Sequence, residues 1–150
     1  MEKNKNKDQS CKRQIRQGVL KIQVIAFSDA ELNEERKRRW GDYWFKYEIE
    51  KELRSLGHII TSEDPDILLH LFGAPLKNVT TDTFNIIWIH SHPEWITPEI
   101  LKDYDQIYCL SPLFLEKLHT WGYDAELMVG ATSKSCQRQI RRGAKPAKSK

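Results

Sequence analysis

The chain has 150 residues, enough for one domain with a real core but too few for two full Rossmann-type domains. No apolar run approaches the roughly 20 residues that span a bilayer, and the opening Met1-Glu2-Lys3-Asn4-Lys5 leads into no apolar stretch of the secretory kind. The formal charge of +3 divides into +4 over residues 1–18, +7 over 132–150 and −8 over 19–131, and an acidic centre of that size argues against nucleic-acid binding beyond weak, salt-dependent contacts by the tails.

These features lead to an expected organisation of basic N-terminal tail (1–18), α/β domain (19–131) and basic C-terminal tail (132–150), in a cytoplasmic protein with no membrane partner. Cys11, Cys109 and Cys136 make neither a disulfide framework nor a close-spaced zinc site. Cys109, inside an apolar run, reads as a small buried hydrophobe. The tails share a segment: Ser10-Cys11-Lys12-Arg13-Gln14-Ile15-Arg16-Gln17-Gly18 returns as Ser135-Cys136-Gln137-Arg138-Gln139-Ile140-Arg141-Arg142-Gly143. Two copies so far apart are not a solenoid. A duplicated docking segment and a simple duplication of basic sequence both remain open.

In chain order, Val19 to Phe27 predicts a first strand. The charged stretch Glu31 to Arg39 leads to Trp40-Gly41-Asp42, with Asp42 the expected N-cap of a helix. Phe45, Ile49, Leu53 and Leu56 recur at helical spacing, and Gly57 stops the helix at its C′ position. His58 to Thr61 predicts a short second strand and Asp66 to Phe72 a third. The run Asn85-Ile86-Ile87-Trp88-Ile89 predicts a buried fourth strand that discharges His90-Ser91-His92-Pro93-Glu94 at its carboxyl end. Thr97-Pro98 and Ser111-Pro112 each carry the signature of an N-cap followed by proline at the first helical position. Between them Gln106 to Leu110 predicts a fifth strand. Phe114, Leu115, Leu118 and Trp121 mark the buried stripe of the last helix, Gly122 its end, and Ala125 to Val129 a final strand. Strands alternating with helices at this spacing predict a Rossmann-like three-layer α/β domain with a mostly parallel sheet.

A parallel sheet collects Ser28, Gly73, His90, Ser91, His92, Ser111 and Thr132 at its carboxyl edge, where open α/β sheets bind ligands. His90 and His92 lie two apart, a spacing that on a strand aims both at one metal. No third ligand stands at a telling distance, so hydrogen bonding or acid–base work by His92 is the stronger reading. A plain turn shaped by His92-Pro93 is the structural alternative. Lys37-Arg38-Arg39 before a helix start would suit a phosphate or simply a solvated face. No Gly-x-Gly-x-x-Gly and no Gly-x-x-x-x-Gly-Lys-Ser/Thr is present, which argues against dinucleotide and P-loop chemistry. No Gly-x-Ser-x-Gly elbow occurs either. Glu63, Asp64 and Asp66 read as loop-capping carboxylates.

Several of these segments together resemble the N-terminal half of the spore-maturation-type glycosyltransferases (family 1-like), which have the two-domain GT-B fold. They are Trp40-Gly41-Asp42-Tyr43, Trp88-Ile89-His90-Ser91-His92-Pro93-Glu94, Tyr104-Asp105-Gln106-Ile107-Tyr108-Cys109-Leu110-Ser111, Gly122-Tyr123 and Gly130-Ala131-Thr132, spanning roughly residues 19–132. The resemblance implies an acceptor-facing half of an enzyme that moves a sugar from a nucleotide-activated donor. By position it sets Gly41, Asp42, His90, Ser91, His92 and Ser111 near the cleft but identifies no catalytic base. His92 is the catalytic candidate, Gly41, Asp42, His90, Ser91, Glu94 and Ser111 are the expected substrate-binding residues, and no cofactor or metal is expected. The chain departs from the family after Thr132, where only a basic tail follows in place of a donor-binding half. Sugar transfer is therefore expected to need a donor-binding partner domain or chain, and a face left without its partner would favour a homodimer. A non-catalytic interaction module on the same fold is the alternative; a small metal- or phosphate-binding enzyme built on His90 and His92 is the third.

Overall fold

The computed structural model describes residues 17–73 and 82–130. Residues 1–16 of the N-terminal tail, the whole C-terminal tail, and with them Cys11, Cys136, Thr132 and all of the repeated segment but Gln17 and Gly18, lie outside the described residues. Six strands form one sheet: β1 (Lys21–Ala26), β2 (Ile59–Ile60), β3 (Ile67–Phe72), β4 (Phe84–Ile89), β5 (Gln106–Cys109) and β6 (Ala125–Leu127). Their spatial order is β2-β1-β3-β4-β5-β6, and every neighbouring pair is parallel. The expected Rossmann-like α/β architecture is present, with an all-parallel rather than mostly parallel sheet. Strand order reverses between β1 and β3, the point at which such sheets open a crevice above their carboxyl ends.

Four helices accompany the strands: α1 (Glu34–Lys37), α2 (Gly41–Ser55), α3 (Pro98–Leu101) and α4 (Pro112–Thr120). The period-two alternation of strand side chains divides the core between the two faces of the sheet. Ile87 and Ile89 of β4 join Phe72, Ile107, Cys109, Leu101, Phe114 and Leu118 on the side of α3 and α4. Trp88 of the same strand points the other way, into Ile22, Val24, Ala26 and Leu71, where Phe45, Ile49 and Leu53 of α2 cover it. Each cluster is thus a helix stripe laid on alternate strand positions, giving helix, sheet and helix layers. Cys109 is fully buried, and burial pushes its thiol pKa up, which makes it the inert apolar filler the sequence implies.

The punctuation residues act as their chemistry dictates. Thr97 and Ser111 accept from the amides of Ile100 and Phe114, each followed by proline in the first turn. Gly57 and Gly122, at φ 90° and 89°, end α2 and α4 in the left-handed conformation that glycine adopts without steric penalty.

Asp42 is a correction. The N-cap of α2 is Trp40, with no side-chain cap bond, and Asp42 lies inside the first turn. Its carboxylate is drawn away to the Ser28 amide, 3.0 Å distant, just beyond β1. The carboxylate still sits at the positive end of the helix dipole, but it joins two elements rather than sealing one.

Candidate functional site

A cleft of about 380 Å³ opens above the carboxyl ends of β1, β3 and β4, within the range of small-molecule sites. Its position at the strand-order reversal is a consequence of topology. Its lining comes from Gly73, just after β3, and from three further chain segments.

The first segment is the 3-10 turn Phe27–Ala30 after β1. Asp29 closes this turn by accepting from the Ala26 amide (2.8 Å) and binds Lys46 of α2 at 2.7 Å, so the turn is fastened to the helix beside it. Phe27 faces the cleft and meets Trp40 edge-on, ring centroids 4.9 Å apart. The second segment is the start of α2, where Gly41, Asp42 and Phe45 contribute to the lining. Lys37 and Arg39 pair with Glu34 and Glu35. None of Lys37, Arg38 and Arg39 lines the cleft, so the phosphate reading of that triplet gains no support. The third segment is the run after β4. Ser91 donates to the Phe72 carbonyl at 3.2 Å, holding this run against the end of β3. Gly73 lies between them, where a methyl group would touch Ser91 Oγ and Phe27 Cβ at 3.4 and 3.5 Å.

The two histidines part company. His90 turns inward and stacks on Phe45 (centroids 5.5 Å, planes 22° apart), with Trp88 edge-on at 6.0 Å. His92 turns outward: its φ is +50°, its Nδ1 lies 2.9 Å from Glu94 Oε1, and its ring stacks on Trp95 at 4.0 Å with planes 8° apart. Positive φ is uncommon for a non-glycine residue and is concentrated at turns. The residue before proline is also excluded from the right-handed helical region. The strand has already ended at Ile89, so the His-x-His pair never shares one strand face. Among the described residues no group of three His, Cys, Asp or Glu side chains converges to hold a metal ion.

The electrostatics are set by burial. Asp42 is 8% exposed and Ser28 1%. Only one carboxylate oxygen of Asp42 is used: Oδ1, together with Ser28 Oγ and His90 Nε2, is buried with no hydrogen-bond partner. Such orphans are uncommon in folded proteins; Glu48 Oε2, away from the cleft, is a further one. Burial lowers the pKa of His90 from its ordinary 6.5, and the nearby Asp42 charge works against that shift. Between that lowered pKa and 6.5, the unfolded chain binds more protons than the folded one. Stability from this residue is therefore present above about pH 6.5 and lost as pH falls through the folded pKa. Thermal melts of His90→Gln from pH 5 to 8 should lose that segment of the pH dependence; an unchanged profile would remove His90 as its source. At the rim, the hydrogen bond from His92 is the main cause holding the Glu94 carboxyl below its ordinary pKa.

Of the residues expected at the site, Gly41, Asp42, His90, Ser91 and His92 line the cleft. Glu94 stands behind His92 as its partner. Ser111 caps α4 and does not line the cleft. Phe27, Phe45 and Trp95 belong to the lining and were not expected there. Phe27 and Trp95 are half-exposed aromatic residues. Their place, at the end of the predicted first strand and just beyond the polar run that follows the fourth, is the signal the sequence offered.

No family model, curated protein or solved structure matches the chain. No helix among the described residues is long and apolar enough to cross a membrane.

Proposed function

We propose that residues 19–131 are the acceptor-side domain of a GT-B-like glycosyltransferase, acting with a donor-binding domain or chain. The observation that carries this reading is the coincidence of two independent lines. Of the five segments that resemble such enzymes, two, through Trp40-Gly41-Asp42 and His90-Ser91-His92, line the cleft above the β1/β3 reversal. In this reading His92, oriented by Glu94 at 2.9 Å, is the proton acceptor for the attacking hydroxyl. Gly41, Asp42, His90 and Ser91 form the acceptor-binding wall. No lysine or arginine lines the cleft among the described residues, so nothing there would stabilise a departing nucleotide diphosphate.

The isolated chain is accordingly expected to bind a hydroxylated acceptor saturably and to transfer no sugar from nucleotide sugars such as UDP-glucose. Turnover by the chain alone would overturn the half-enzyme reading, and failure to bind any hydroxylated acceptor would overturn the acceptor-side reading. A second reading, a protein-interaction module, draws on the outer side of α2. There Tyr43, Trp44 and Tyr47 stack edge-to-face at 5.1 and 6.2 Å, with Trp44 and Tyr47 about half exposed. Absent acceptor binding, combined with a stable protein complex abolished by Trp44→Ala, would favour it.

A further inference from the structure

The polar floor of the cleft has a chemistry more specific than its shape. Asp42 Oδ1 can only accept a hydrogen bond while the carboxylate is charged, and His90 Nε2 either donates or accepts according to tautomer. Both are buried and without a partner, and both residues line the same cleft. Asp42 also occupies the first turn of the fifteen-residue α2, whose residues Gly41 and Asp42 both line the cleft. A helix end alone would attract anions, with about half a positive charge. Here that end already carries a full carboxylate, which leaves a modest net negative field.

We infer that this floor recognises hydroxyl groups of a neutral, ring-shaped ligand, one donating to Asp42 Oδ1 and one pairing with His90 Nε2, and that it discriminates against anionic ligands. A hydroxyl both donates and accepts, so it satisfies either atom. A phosphate dianion or a carboxylate has no proton to give Asp42 and meets like charge. A quaternary ammonium group has no N–H to give either Asp42 Oδ1 or His90 Nε2, so only the modest net negative field would hold it. The walls are aromatic: Phe27 of the turn after β1 against Trp40 at the start of α2, and His92 stacked on Trp95 beyond β4. Flat apolar faces of this kind suit the faces of a ring while the floor reads its edge. The lowered pKa of His90 agrees, since a neutral imidazole keeps its capacity to accept.

The inference rests on the acceptor-side reading in taking this cleft as the ligand site, and it adds the charge class of the ligand. Phenyl β-D-glucoside and phenyl β-D-glucuronide form a test pair that differs in one carboxylate, with choline as a cationic probe. Binding to the full chain is read by tryptophan fluorescence and saturation-transfer NMR. The glucoside is expected to bind about tenfold or more tightly than the glucuronide and more tightly than choline. Asp42→Asn keeps an oxygen for the Ser28 amide, and its fold is checked by thermal melting. This variant should reduce the glucoside-to-glucuronide ratio to about threefold or less. His90→Gln should weaken the glucoside about tenfold. Equal or tighter binding of the glucuronide or of choline would overturn the inference, as would a ratio unaffected by Asp42→Asn; either result leaves the acceptor-side reading standing. No saturable binding of any of the three probes or of other hydroxylated ligands would overturn both.

Discussion

Replacing Phe72 by alanine is expected to destabilise the fold by about 3–5 kcal/mol. The ring is wholly inaccessible at the end of β3, packed among Ile87, Ile89, Ile107 and Leu118. Neighbouring rings cannot collapse into the space freely. His70, two residues earlier on the same strand, meets Phe72 edge-on at 5.6 Å and is itself held by the Tyr104 hydroxyl at 2.5 Å. A cavity there forfeits both the transfer free energy of the ring and the dispersion contacts of its surroundings. The effect reaches the cleft, because the Phe72 carbonyl is the acceptor for Ser91 Oγ. Urea denaturation should show a lower midpoint at nearly unchanged slope. A loss under about 1 kcal/mol would mean that the β3 end is far more deformable than close packing permits.

Asp42→Ala is the second large effect, at about 2 kcal/mol. The substitution strands the buried Ser28 amide, which has Asp42 Oδ2 as its acceptor at 3.0 Å, and removes an acidic group from the positive end of α2. Some of this cost is offset, because the unpartnered Oδ1 disappears as well. Asp42→Asn keeps an acceptor for Ser28 and loses only the charge, so it should cost about half as much or less. Thermal unfolding of the two variants side by side decides the matter. Equal melting temperatures would place the contribution in charge alone and remove the hydrogen bond to Ser28 from the account.

The sheet and its helices were legible because each depends on neighbours in sequence. Ile86-Ile87-Trp88-Ile89 is the continuous apolar run of a strand buried on both faces. Thr97-Pro98 and Ser111-Pro112 announce helix starts through local amides, and Gly57 and Gly122 announce stops through φ. Trp40-Gly41-Asp42 and His90-Ser91-His92 were also identifiable as site segments, since a parallel sheet delivers such loops to one edge. The path of His92 was less so. Alternation would have set it beside His90, but the strand stops one residue before His90, and Pro93 restricts the backbone of His92 itself.

For the cleft, sequence pattern was enough to place the strands, the helix stops and the edge at which polar residues gather, though not the start of α2, because these features arise from short-range sterics and hydrophobic pattern. Only the tertiary structure decided that Asp42 gives one oxygen to Ser28, fourteen residues away, and leaves the other unpartnered. Packing likewise set His90 on Phe45. Those outcomes depend on how α2 lies against β1 and β4, and no local pattern encodes a contact between residues that meet only when the layers pack.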